Sequence, residues 1–152
     1  MKKYTKIYAL IVSALFFLDR FSKTYMHINP KKVFTIFPFL QFQLAYNRGI
    51  SWGMFSSSSN IIFWGLTSVI ISVIVIFSFY AYTRWKENYI ILPELFIIVG
   101  AISNVVDRFL YGGVVDFIVL HYKSWSWPIF NIADVAIVGG VITILVLDIY
   151  KK

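Results

Sequence analysis

Cysteine is absent from this sequence of 152 residues, and charge is scarce, with charged residues making up 14% of the chain and only seven of them acidic. Without cysteine the chain can form no disulfide, use no thiol nucleophile, bind no metal through thiolates and carry no lipidated cysteine of its own. The remainder is 59% hydrophobic and 20% aromatic. This composition is typical of an integral membrane protein rather than of a soluble domain.

The net charge of +7 would suggest nucleic acid as a partner if the chain were soluble. Here the basic residues flank apolar stretches, so we attribute them to anionic lipid headgroups and membrane topology. We therefore expect contact with membrane lipid and none with nucleic acid.

Four apolar stretches predict membrane-spanning helices at about residues 7–23, 61–82, 90–110 and 128–150, since a span needs about 20 residues. The first stretch resembles a signal peptide, but no small-x-small cleavage site follows it, so we interpret it as an uncleaved span. Pro128 is expected in the first turn of the last helix, where its missing N–H costs nothing.

The segment 24–60 differs from the spans because it is rich in aromatic and β-forming residues that partly alternate with polar ones. It predicts short strands on the membrane surface. The predicted fold class is thus an all-α membrane protein of four transmembrane helices, with a small surface β-cradle at 24–60. We expect one integral membrane domain over 1–152, acting as a monomer.

The orientation is not decided by the count of basic residues, which is equal on the two sides of the predicted bundle. Arg20, Lys23 and Arg108 lie close to acids in the sequence and are candidates for a site. Setting them aside favours both termini in the cytoplasm.

Asp116 and Asp134 are two acids in strongly apolar surroundings. A carboxylate costs roughly 3 kcal/mol at the centre of a bilayer on insertion scales, so such acids are usually paired, hydrated or functional. Two adjacent carboxyl groups can also activate water by acid–base chemistry, titrating as a pair.

The topology predicts that the polar residues of interest converge at one end of the bundle, whichever way the chain is inserted. Those residues are Asp19, Lys23, Asn47, Asn104, Asp107, Arg108, Asp116, Asn131 and Asp134. Asn104 and Asp107 are three residues apart, as are Asn131 and Asp134, and each pair should share a helix face.

The same residues also have structural interpretations. Asp19 and Lys23, at i and i+4, are expected to form a helix-end ion pair, and Asp107–Arg108 could serve structure or substrate equally well. The Asn47–Gly49 stretch could be a simple turn. Small residues at 100–103 and 133–140 predict close packing between the third and fourth helices.

Five motifs, in order, resemble the lipoprotein signal peptidase (signal peptidase II) family over nearly the whole chain. They are DRFSK (19–23), NRGISWG (47–53), GAISNVVDR (100–108), VVDF (114–117) and FNIAD (130–134). One departure is Ser103, where the family commonly has glycine.

The resemblance implies an aspartyl endopeptidase at the outer face of the bacterial cytoplasmic membrane. It implies substrates that are prolipoproteins with a diacylglyceryl-modified cysteine, cut just before that cysteine, with no metal or organic cofactor and with globomycin-type inhibitors. By this resemblance Asp116 and Asp134 form the catalytic dyad. The supporting or substrate-binding residues would be Asn47, Gly49, Asn104, Asp107, Arg108, Asn131, Asp19 and Lys23.

Spacing alone does not separate Asp116 from Asp107 as the second catalytic acid. The principal alternative function is a small proton- or ion-handling membrane protein that uses the Asp116/Asp134 pair, which would favour acids spread across the membrane depth. A Mg²⁺-dependent lipid phosphotransferase would need several carboxylates at regular helical spacing and phosphate-binding motifs, and this sequence has neither. A serine–lysine peptidase would need Ser22, or another serine, with a buried lysine, whereas Lys23 is expected to pair with Asp19. A structural scaffold would require the five-motif match to be accidental.

Overall fold

Four helices form the frame of the chain, as seen in a computed structural model that describes residues 4–50, 54–55, 57–123 and 125–150. Residues 51–53 of the NRGISWG motif lie outside the described residues. The helices are α1 (Thr5–Ile28), α2 (Asn60–Lys86), α3 (Leu92–Tyr111) and α4 (Ile132–Ile149). Each predicted span corresponds to one of these helices, with ends that differ by a few residues.

Within the described residues, length and composition alone qualify α2 and α4 for crossing a membrane. Their most apolar windows have mean hydropathies of 2.5 and 2.3. Helices α1 and α3 carry more charge, which is concentrated in their C-terminal halves at Asp19, Lys23, Asp107 and Arg108. These four side chains are buried, so this part of the charge on α1 and α3 faces the protein rather than its surroundings.

A small antiparallel sheet lies beside the helices, with strand order β1-β2-β3-β4. Its strands are β1 (Phe34–Phe37), β2 (Leu40–Asn47), β3 (Val114–Tyr122) and β4 (Trp125–Ser126). In the longest ladder Ala45 lies opposite Asp116 and Asn47 opposite Val114. This register brings the Asn47 end of β2 to the start of β3.

The prediction of a cradle confined to 24–60 is therefore wrong in extent. Only β1 and β2 come from that segment, residues up to Ile28 are helical, and β3 and β4 follow α3. The sequence Val114–Tyr122 contains few polar residues because most of its side chains are buried on both faces. A strand buried on both faces gives no alternation that would identify it.

Helix α3 ends at a glycine that allows the chain to turn into β3. Gly112 is the C-cap, with φ of 68°, a left-handed conformation that glycine adopts without steric cost. The prediction that the Gly112–Gly113 pair reverses the chain after the third helix is confirmed.

The expectation for Pro128 is wrong, because α4 begins four residues later, at Ile132. Residues before it are extended, and Phe130 pairs with Ile118 of β3 through backbone hydrogen bonds. The side chain of Asn131 then caps the helix. An asparagine side chain at the N-cap satisfies a backbone N–H of the first turn, which favours a helix start at this point.

Helices α3 and α4 pack closely through glycines, as the small-residue pattern predicts. A Cβ at Gly100 would lie 2.5 Å from the Ala133 carbonyl oxygen, and one at Gly140 would lie 2.6 Å from that of Pro93. Gly139 has open space around it instead. The first contact joins the middle of α3 to the start of α4, and the second joins the start of α3 to the middle of α4.

Candidate active site

The polar residues predicted to converge do converge at one end of the bundle. They come from the C-terminal halves of α1 and α3, the ends of β2 and β3 that meet, and the first turn of α4. Hydrogen bonds or ion pairs link Asp19, Lys23, Asn47, Gly49, Asn104, Asp107, Arg108, Asp116, Asn131 and Asp134 to one another in small groups.

Asp116 is held by two amide side chains from different parts of the chain. Asn131 Nδ2 donates to Oδ1 at 2.7 Å, and Asn47 Nδ2 donates to Oδ2 at 3.2 Å. The Asn47 amide is itself fixed, because its Oδ1 accepts from the Gly49 N–H and its Nδ2 also reaches the Ile50 carbonyl. The Asp116 carboxyl group is therefore fixed in orientation at both oxygens.

Asp134 is held at the N-terminus of α4 by a capping box. Asn131 Oδ1 accepts from the Asp134 N–H at 2.9 Å, while the Asn131 N–H donates to Asp134 Oδ2 at 3.1 Å. The other oxygen, Oδ1, accepts from Asn104 Nδ2 at 2.8 Å. Asn131 thus contacts both acids and sets their relative position.

Burial raises the pKa of Asp116 from its ordinary value of 3.8 to about 7. The negative charge of Asp134 raises this pKa further, while the hydrogen bonds from Asn131 and Asn47 and the charge of Lys23 oppose the rise. Asp116 therefore retains its proton through most of the acidic range and exchanges it near neutral pH.

Lys23 forms the centre of a buried ionic cluster behind the two acids. Its ammonium group lies 2.9 Å from Asp19 and 2.8 Å from Asp107, and it donates to Asn104 Oδ1 at 2.7 Å. Lysine can only donate, so Asn104 must present its oxygen to Lys23 and its NH₂ to Asp134. The predicted Asp19–Lys23 ion pair is confirmed.

Asp107 is fully buried, and both of its oxygens are occupied. Oδ1 pairs with Arg20, and Oδ2 accepts from Lys23 and from the Val115 N–H. Asp116 and Asp134 both line a cavity, and Asp107 does not. The geometry therefore distinguishes Asp116 from Asp107, which sequence spacing alone left as equivalent candidates.

Arg108 holds the turn that follows β2. It donates to the backbone oxygens of Arg48 and Gly49 and, weakly, to the Thr67 hydroxyl on α2. It also lines the cavity. This buried guanidinium therefore stabilises the turn beside the cavity.

The cavity has a volume of about 680 Å³. Its polar end contains Asp116, Asp134, Asn47 and Asn104, and its walls are apolar. The walls include Ile70 of α2, Ala101 and Val105 of α3, and Val138, Gly139 and Ile142 of α4. The cavity thus combines a mostly apolar lining with two carboxyl groups.

Two contributors were not identified from the sequence as parts of the site. Ser103 Oγ donates to Asp19 Oδ2 at 2.6 Å, so the residue that departs from the family pattern is part of the ionic cluster. Phe63 lies beside the guanidinium groups of Arg48 and Arg108. A phenylalanine in an uncharged helix gives no sequence signal that distinguishes it from other apolar residues.

Comparison with known proteins supports one family. A family model described as Signal peptidase (SPase) II matches residues 11–151. A lipoprotein signal peptidase of Methylorubrum extorquens (strain PA1) is 37% identical over 136 residues, covering 86% of this chain and 78% of that protein. One from Anaplasma marginale (strain Florida) is 39% identical over 150 residues, covering 95% and 86%.

Solved structures of bacterial membrane enzymes have the same fold. One superposes with a TM-score of 0.81 at 24% identity, covering 97% of this chain and 90% of the other. A second has a TM-score of 0.75 at 25% identity, covering 95% and 93%. Since the family model spans nearly the whole chain and the relatives exceed 30% identity, this protein belongs to the signal peptidase II family of membrane peptidases.

Proposed function

We propose that the protein is an aspartyl endopeptidase that removes the signal peptide from diacylglyceryl-modified prolipoproteins, cutting just before the lipidated cysteine. The observation that carries this proposal is the cavity in which Asp116 and Asp134, both oriented by Asn131, meet the end of a long apolar wall. An apolar signal peptide and acyl chains suit that wall, and the scissile amide suits its polar end.

The two acids have different surroundings and so take different roles. Asp134 lies at the N-terminus of α4, where the helix dipole favours negative charge, and acts as the base that accepts a proton from water. Asp116, with its pKa raised to about 7, holds a proton and donates it to the leaving amine as the tetrahedral intermediate collapses. One proton is taken from water and one is delivered to the amine, as amide hydrolysis requires.

The remaining residues hold the dyad. Asn47, Asn104 and Asn131 orient the carboxyl groups, and Asp19, Lys23 and Asp107 fix the helices that carry them. Arg108 and Gly49 line the cavity beside the acids, where they can contact the substrate backbone. No metal or organic cofactor takes part in this scheme.

The proposal includes four membrane spans in a single monomeric domain of residues 1–152. Helices of 24 and 20 residues at 1.5 Å per residue make α1 about 36 Å and α3 about 30 Å long, enough to cross the hydrocarbon. Their buried charges pair with one another rather than facing lipid. Both termini are assigned to the cytoplasm and the active site to the outer face of the bacterial cytoplasmic membrane.

The family match does not favour the alternative of a proton- or ion-handling protein. The two acids lie together at one end of the bundle, whereas a conduction pathway needs polar groups along the membrane depth. In the described part of α2, the helix that lines the cavity through Ile70, no acid occurs.

The test is cleavage of a diacylglyceryl-modified prolipoprotein by the purified protein in detergent, followed by mass spectrometry of both products. We expect a free signal peptide and a lipoprotein whose first residue is the modified cysteine. The matched control is the same prolipoprotein without the diacylglyceryl group. Cleavage at another bond, or none with a correctly modified substrate, would contradict the proposal.

A further inference from the structure

Phe63 occupies an unusual position in the first turns of α2. Its side chain is 2% exposed, and two guanidinium groups lie beside its ring, that of Arg48 at 4.6 Å from the ring centroid and that of Arg108 at 5.3 Å. Guanidinium groups at such distances are attracted by the negative face of an aromatic ring.

Among the residues that the structure describes, neither guanidinium forms a direct salt bridge, and the ion pairs involve Arg20, Lys23 and Arg84 instead. Their N–H groups are directed at neutral oxygens. Arg48 donates to the Ser57 and Gly112 carbonyls and to Asn60 Oδ1. The carboxyl group of Asp116 acts electrostatically on Arg108, whereas the ring of Phe63 contacts both guanidinium groups and offsets their mutual repulsion.

The two arginines fix the turn at 48–50 to the helices. Arg108 donates to the Arg48 and Gly49 carbonyls, and Arg48 ties the turn to α2 through Asn60 and to the end of α3 through Gly112. Removal of the ring therefore loosens the turn at both of its attachments.

The turn at 48–50 also orients Asn47. The Gly49 N–H donates to Asn47 Oδ1 at 2.9 Å, so the amide must present its NH₂ to Asp116. We propose that Phe63 is a positioning residue for the peptidase reaction: its ring holds Arg48 and Arg108, and through the 48–50 turn it aligns Asn47 with the Asp116 carboxyl group.

This inference rests on the proposed peptidase function and makes a specific kinetic prediction. Phe63→Leu, which keeps the apolar volume and removes the ring, should lower kcat about tenfold while KM changes less than twofold. Phe63→Tyr keeps the ring and should restore wild-type kcat. The matched control is Phe79→Leu, since Phe79 lies on the same helix and its side chain is 68% exposed; it should leave kcat unchanged.

A second series keeps the shape of the ring and changes only its charge distribution. Incorporation of mono-, di- and trifluorophenylalanine at 63 should lower kcat stepwise, because each fluorine weakens the negative face of the ring. In addition, Phe63→Leu combined with Asn47→Ala should lose no more activity than Asn47→Ala alone. Equal kcat across the fluorinated series, or independent losses in the double variant, would overturn the inference.

The ¹⁵N signal of the Asn47 side-chain amide separates this inference from the proposed function, because it needs no turnover. It should shift progressively across the fluorinated series. If the wild type cuts no substrate, the peptidase proposal fails; if the amide signal stays constant across the series, the positioning role of Phe63 fails.

Discussion

At the scale of single residues, the proposed chemistry depends on two carboxyl groups that have different environments. Asp134 is tied to a helix N-terminus, whereas Asp116 lies in a buried strand. Asn131 contacts both, so one amide side chain determines how the pair is arranged. This arrangement makes Asp116 the residue whose titration has the clearest consequences.

Asp116→Asn should make the protein more stable to heat than the wild type near pH 8 and equally stable near pH 4. The folded-state pKa of Asp116, about 7, lies above its ordinary value of 3.8. Between these values the folded protein keeps a proton that the unfolded chain has lost, so the wild type loses stability as the pH rises through this window. Asparagine resembles the protonated acid and lacks this loss.

Thermal unfolding in detergent at the two pH values measures this difference. Asp107→Asn is the control, because it removes the partner of Arg20 and Lys23 and should lower the melting temperature at pH 8. A melting temperature for Asp116→Asn below that of the wild type at pH 8 would show that the buried charge stabilises the fold.

At the scale of secondary-structure elements, helix starts and close helix contacts position the site. Asn131 makes two contacts that a substitution can separate: its Oδ1 caps α4, and its Nδ2 donates to Asp116. Serine is a good N-cap but cannot donate from the same position as the amide.

We expect Asn131→Ser to keep a melting temperature near that of the wild type while losing most of its activity. Asn131→Ala should lose activity and also about 1 kcal/mol of stability, the usual loss for a removed cap. Melting curves and cleavage rates of the two variants provide the comparison. Equal stability of both variants would mean that the cap does not stabilise α4.

Gly100→Ala should destabilise the protein and lower its activity, because the added Cβ would meet the Ala133 carbonyl oxygen at 2.5 Å and push α4 away. Gly65→Ala is the matched control, because nothing lies within 4 Å of a Cβ there. Melting temperature and cleavage rate should fall for the first variant alone. Equal behaviour of the two would mean that the α3–α4 contact can relax at no cost.

Much of this element structure could be predicted from the sequence, and the reasons for the exceptions are physical. Apolar stretches predict the four helices, and the Gly112–Gly113 pair predicts the turn after α3. Strand β3 lacks an alternating pattern because most of its side chains are buried, and α4 begins later than Pro128 predicts because the Asn131 side chain caps it. The convergence of the polar residues followed from topology, whereas the role of Ser103 and the contacts of Phe63 depend on three-dimensional packing.

At the scale of the whole molecule, the proposed topology puts Lys31 outside the cell and Glu87 inside. The natural chain contains no cysteine, so a single introduced cysteine reports its own location. In intact cells a membrane-impermeant thiol reagent should label Lys31→Cys and not Glu87→Cys, and both positions are exposed. After permeabilisation both should be labelled. The reverse pattern would invert the topology.

The central claim is that Asp116 and Asp134 together perform peptide hydrolysis, and the most direct test is cleavage of a diacylglyceryl-modified prolipoprotein by the wild type and three matched variants. We predict that the wild type releases the signal peptide and that Asp116→Asn and Asp134→Asn release none while remaining folded. Asp107→Asn should keep part of the activity, because Asp107 does not line the cavity. Equal loss in all three folded variants, or cleavage by either dyad variant, would contradict the claim.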